Sequence, residues 1–152
     1  MITKVLDNLR RQCSRREYCT SDILKKAEKA LDGDKDAAEK VLQNLVKEKY
    51  VDNLRYASAY AREKSAISGW GEVKIRYMLS AKGIERDVIS QALEDVDVQR
   101  ADNRLVKLLE NKYRTLREDP QCKLKLLRFA LGRGYSYEEV SRHIDALMKG
   151  EK

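Results

Sequence analysis

The sequence is short of everything that interrupts helices: it has one proline, Pro120, and seven glycines in 152 residues. Aromatic residues make up only 7%, with a single Trp and a single Phe, and His143 is the lone histidine. No apolar run approaches the roughly 20 residues that span a bilayer. The opening Met1-Ile2-Thr3-Lys4-Val5-Leu6-Asp7 lacks the uninterrupted apolar core of a signal peptide. A cytoplasmic protein without membrane attachment is expected. Cys13, Cys19 and Cys122 are odd in number and show no Cys-x-x-Cys spacing, so neither a disulfide framework nor a zinc knuckle is suggested and they read as reduced thiols.

The same scarcity removes most chemistry. One histidine forms no zinc-binding pair and supports no Ser-His-Asp set, so His143 reads as structural. Asp32-Gly33-Asp34-Lys35-Asp36 has the acids of a calcium loop, but Ala37 stands where that loop turns on Gly and Gln43 where it needs a bidentate Glu. Gly69-Trp70-Gly71 and Gly132-Arg133-Gly134 lack the spacing of phosphate-binding loops and read as helix ends. No metal, cofactor or catalytic residue is expected, and the protein should work by binding.

What is present is 42% hydrophobic residues at helical spacing. Ile2, Val5, Leu6 and Leu9 form a first stripe, followed by the basic Arg10, Arg11, Arg15 and Arg16; Ile23, Leu24, Ala27 and Leu31 form a second behind Thr20-Ser21-Asp22. Ala38, Val41, Leu42, Leu45 and Val46 form a third. The script repeats with Leu54, Ala57, Tyr60 and Ala61, then Val73, Ile75, Met78 and Leu79, then Val88, Ile89, Ala92, Leu93 and Val96. It runs a third time from Leu105 to Leu109, then from Leu124 to Leu131, and ends with Val140, Ile144 and Leu147 behind a capping box of Ser136 and Glu139.

The repeat length is about 51 residues, near the top of the range for helical repeat units. In that frame Ala27, Met78 and Phe129 align, as do Ala38, Ile89 and Val140; Leu42, Leu93 and Ile144; and Leu45, Val96 and Leu147. Lys82-Gly83-Ile84 meets Arg133-Gly134-Tyr135, two helix stops with Gly at the left-handed position. The expected fold is all-α: three tandem three-helix, helix-turn-helix-like repeats over 1–50, 51–98 and 99–152, leaning on one another as an elongated curved array. One compact helical bundle is the alternative, since periodicity alone does not exclude it.

The chain carries a formal +7 charge, which draws it towards polyanions. Its thirds hold about +3, −1 and +5, so the positive charge lies towards the two ends. Lys112, Arg114, Arg117, Lys123, Lys125, Arg128 and Arg133 cluster around one break and the helix after it. They form either a footprint for polyphosphate or acidic protein, or a solvated helix face. Arg62, Lys64, Lys74 and Arg76 lie around the middle break and are candidates for the same surface. Trp70 is either an aromatic anchor for a partner or the first packed residue of its helix.

Val51-Asp52-Asn53-Leu54-Arg55-Tyr56-Ala57, the run from Gly69-Trp70-Gly71 to Lys82-Gly83-Ile84, and Arg133-Gly134-Tyr135-Ser136 resemble motifs of the bacterial RecX family, as does Arg16-Glu17-Tyr18-Cys19-Thr20-Ser21-Asp22-Ile23. The resemblance covers essentially the whole chain. It departs from the family pattern at Asn53-Leu54, where a second Asp and a variable residue are usual, at Tyr56 for Phe, and at Cys19 for Ser.

The resemblance implies tandem three-helix repeats that bind the RecA recombinase in its filament on single-stranded DNA. It further implies inhibition of recombination and of the filament's ATP hydrolysis. A monomer is expected, with its basic ends available to filament acids or to nucleic-acid phosphate. Asp52, Gly83 and Gly134 match the motifs, and Tyr56 stands at the motif's aromatic position; Asp52 and Tyr56 also suit a joint between units. A regulator acting on duplex DNA is the competing function, although no recognition helix rich in Arg, Asn or Gln is evident. An inert scaffold would leave the basic excess unexplained.

Overall fold

The computed structural model describes residues 1–150. Among these all regular structure is helical: α1 (Ile2–Arg15), α2 (Thr20–Ala30), α3 (Lys35–Lys47), α4 (Asn53–Ala66), α5 (Glu72–Ala81), α6 (Arg86–Leu93), α7 (Val98–Leu116), α8 (Cys122–Gly132) and α9 (Tyr137–Lys149). Starts are set by short polar caps. Asp34, Asp97 and Ser136 accept the amides of Ala37, Arg100 and Glu139, and Asp52 accepts that of Arg55 at 3.0 Å. Ser136 also donates to the Glu139 carboxylate at 2.9 Å, a side-chain link between the cap and the first turn of α9.

The helices fall into two compact units. The first comprises Met1–Tyr60 and Leu79–Ala92. Its core joins Leu9 of α1, Ile23 and Ala27 of α2, and Ala38, Val41, Leu42 and Leu45 of α3. Arg55, early in α4, ties its surface together: the guanidinium donates to Glu17 at 2.7 Å and to the carbonyls of Lys49 and Tyr50 at 3.0 and 3.2 Å. The bond to Glu17 raises its pKa further. The second unit comprises Ala61–Met78 and the chain from Leu93. Leu105 and Leu109 of α7, Leu126 and Ala130 of α8, and Val140 and Ile144 of α9 form its core.

The glycine stops have the geometry expected of them. Gly83 and Gly134 are left-handed, with φ of 79° and 94°. At each, the glycine amide bonds three residues back and the next amide five back: Gly83 to Ser80 and Ile84 to Leu79, Gly134 to Leu131 and Tyr135 to Ala130. This is the Schellman arrangement, which uses up the last carbonyls of α5 and α8. The end of α3 is built the same way with Lys49 in the glycine position, at φ 66°. Lys49→Gly relieves that backbone and is expected to stabilise the first unit by about 0.5–1 kcal/mol in urea unfolding, the left-handed penalty less the added flexibility of glycine.

One aligned column differs from the expectation. Ala27 is fully buried, whereas Met78 is 37% exposed and Phe129 is half-buried; the buried equivalents are Leu79 and Ala130. The cause is one extra residue after α2. There the chain turns through two left-handed residues, Asp32 and Gly33, where α5 and α8 end on a single glycine. The Ala38, Ile89 and Val140 column is buried throughout. Val96, expected on the sixth helix, lies beyond its end at Leu93, in the turn before α7.

Candidate binding surface

The start of α5 sits on the end of α8. The Gly71 amide donates to the Arg133 carbonyl at 2.8 Å, and Val73 to Gly134 at 2.9 Å. Donors orphaned at one helix start thus meet acceptors at another helix end, with the two dipoles head to tail. The approach is so close that a Cβ on Gly71 would lie 2.5 Å from the Gly134 oxygen, and one on Gly134 would be 2.7 Å from the Lys74 nitrogen. The Tyr135 hydroxyl adds a bond to the Gly69 carbonyl at 3.0 Å, and burial raises its pKa.

A related joint occurs inside the first unit, made with side chains. Ser21 at the start of α2 donates to the Lys82 carbonyl at 2.7 Å, and the Lys82 ammonium meets Asp22 at 2.9 Å. Burial alone would push the Asp22 carboxyl up, but the bonds from Lys82 and Cys19 together hold it below the usual carboxylate range. Thr20 and Asn53 exchange two further bonds, of 2.9 and 3.2 Å.

The joint at α5 and α8 gathers cations around two aromatic rings. The ammonium groups of Lys64 and Lys74 lie 5.0 and 4.3 Å from the centre of the Trp70 ring. Lys112 and Arg133 lie 5.2 and 5.1 Å from that of Phe129. Because Arg133 and Gly134 carry the carbonyls that hold α5, the two clusters are linked by backbone hydrogen bonds. Trp70 is half-buried, with one side on a cavity of about 90 Å³ lined also by Ile75, Leu93 and Tyr135. That volume is well below the ~300 Å³ at which small-molecule pockets begin. The arrangement offers a surface on which positive charge and flat apolar rings alternate, suited to anionic partners that also present an apolar or π face.

Several of the remaining candidate cations pair with acids, two with acids close in sequence and two with acids distant in the chain. Lys123 pairs with Asp145 at 3.3 Å, Lys125 with Asp119 at 2.5 Å, Arg62 with Asp95 at 3.8 Å and Arg76 with Glu72 at 2.8 Å. The Lys125 bond, helped by the Gln121 amide, holds Asp119 below the ordinary carboxylate range. Arg114, Arg117 and Arg128 are exposed. Asp52 caps α4, and Tyr56 is buried against Tyr60 with ring centres 5.9 Å apart. The sequence marks neither Phe129 as a cation platform nor Gly71 as a contact glycine. The first looks like one more apolar helix residue, and the second owes its role to a partner strand of backbone far away in the chain.

Among the described residues no group of three His, Cys, Asp or Glu is placed to hold a metal, and no helix is long and apolar enough to cross a membrane.

Fold and surface together define a tandem helical-repeat protein that presents cations clustered on aromatic rings. Comparison with known proteins specifies the family. The model of the RecX second three-helix domain matches residues 52–93, and that of the third three-helix domain matches residues 101–144. The chain is 29% identical over 119 residues to the regulatory protein RecX of Clostridium tetani, covering 76% of this chain and 54% of that protein. It is 33% identical over 111 residues to the regulatory protein RecX of Clostridium botulinum strain Eklund 17B, covering 70% and 51%. A crystal structure of regulatory protein RecX superposes with a TM-score of 0.83 at 25% identity, over 95% of this chain and 71% of that one. The chain belongs to the RecX family. It spans about half the length of the curated relatives it matches.

Proposed function

We propose that this protein binds the RecA recombinase in its filament on single-stranded DNA and restrains the filament's recombination and ATP hydrolysis, in control of DNA repair. Membership of the RecX family carries this reading. The protein acts by binding, as a monomer in the cytoplasm, through three modules at 1–50, 51–98 and 99–152. The paired clusters at Trp70 and Phe129 support an anionic partner, because four cations converge there on two rings.

The test adds the purified protein to preformed RecA filaments and records DNA-dependent ATP hydrolysis and filament length. Loss of hydrolysis and shortened filaments are expected, and no effect at stoichiometric amounts overturns the reading. Lys64→Glu combined with Lys112→Glu should weaken the effect at least tenfold. Lys123→Glu should change it little, because that ammonium is already paired with Asp145.

A further inference from the structure

Contrary to the expectation that no helix rich in Arg, Asn or Gln is present, the outward side of α7 gathers such residues into a second, chemically different cationic surface. Positions 100, 103, 104, 107, 111 and 114 fall on one stripe of a 3.6-residue helix and are Arg, Asn, Arg, Lys, Asn and Arg. The opposite side carries Leu105 and Leu109 into the core of the second unit. Arg100, Asn103, Lys107, Asn111 and Arg114 are exposed. Arg104 is half-buried: one guanidinium nitrogen donates to Ser65 at 2.8 Å, and its Nε is buried without a partner. No acid lies within the stripe. Asp97, the cap of α7, reaches Arg100 at 3.6 Å from the end, and Glu110 sits on the flank. Arg100, Asn103, Arg104 and Lys107 line an open groove of about 520 Å³.

We propose that this face of α7 docks on duplex DNA. From Arg100 to Arg114 the stripe extends roughly 21 Å along the helix axis, longer than the ~12 Å width of a B-form major groove, which admits a single helix. A helix crossing that groove places cations from the ends of its stripe against phosphates of both strands. Asn103 and Asn111, and the arginines between and beside them, reach base edges, where amide and guanidinium groups make paired bonds. The stripe contains no aromatic side chain on which an unstacked base could lie. That separates it from the Trp70 and Phe129 clusters and favours a duplex over a single strand. Charge complementarity is the ground for the assignment: four cations and two amides, uninterrupted by carboxylates, face a polymer bearing one negative charge per ~1.7 Å of axis.

The inference does not depend on RecA, and its test contains none. The 152-residue protein is titrated into a labelled 20-base-pair duplex and into the corresponding single strand, with anisotropy read at 50–200 mM salt. Duplex binding is expected, with a log–log salt slope between about −2.7 and −3.6 for three to four phosphates neutralised. Lys107→Ala and Arg114→Ala should each make the slope shallower by about one, and Lys107→Glu with Arg114→Glu should weaken duplex binding at least tenfold. These positions are exposed, so Trp70 fluorescence and helicity should stay at wild-type values. Absence of duplex binding at 50 mM salt overturns the proposal. So does an unchanged slope and affinity in the variants, or tighter binding of the single strand that the same variants abolish.

Discussion

Gly134→Ala should destabilise the second unit by about 3–5 kcal/mol, whereas Gly83→Ala should cost the first only about 1 kcal/mol. Both glycines end a helix at positive φ, so both pay the left-handed penalty of an L residue. They differ in surroundings. A Cβ on Gly83 meets nothing within 4 Å, while one on Gly134 runs into Lys74, including its backbone nitrogen. Backbone cannot swing away as a flexible side-chain end can. The start of α5 would have to retreat, and the Gly71 and Val73 bonds to the end of α8 would stretch with it. Trp70, the only tryptophan, lies beside this joint in the second unit. Urea unfolding followed by its fluorescence therefore reads the Gly134 variant directly, and far-UV circular dichroism reads the Gly83 variant. Equal losses at the two sites would show that conformation alone, and not close approach, explains Gly134.

Much of the fold is legible in the sequence because helix punctuation is local. Ser136 and Glu139 announce a capping box, and Gly83 and Gly134 announce left-handed stops; each device satisfies backbone groups within a few residues, so no distant partner is needed to recognise it. The binding surface is less legible because its meaning depends on what folding brings close. Lys123 and Lys125 read as free charge until Asp145 and Asp119 arrive beside them. Phe129 reads as core until Lys112, from another helix, and Arg133, at the end of its own, settle over its ring. The α7 stripe has the opposite difficulty. It is written wholly in local sequence, but its cations and amides are interleaved with Leu105 and Leu109 and become one face only when turned through 100° per residue.

The misplaced column leads to the other large effect. A helix rotates by 100° per residue, so an alignment shifted by one position exchanges a core residue for one on the flank. Met78 and Leu79 are comparably apolar, and apolar content alone cannot choose between them. The extra left-handed residue after α2, Asp32, has no hydrophobic mark by which a shift would be noticed. The structure makes the choice testable. Leu79 is completely buried, and its carbonyl accepts the Ile84 amide in the stop that closes α5. Leu79→Ala removes three buried carbons and leaves a cavity beneath that turn, an expected loss of about 2–5 kcal/mol. Met78→Ala, at a position 37% exposed, should cost less than about 1 kcal/mol. Chemical denaturation of the two single variants, compared at equal m-value, decides the register. A larger loss at Met78 than at Leu79 would restore the alignment of Ala27 with Met78 and Phe129.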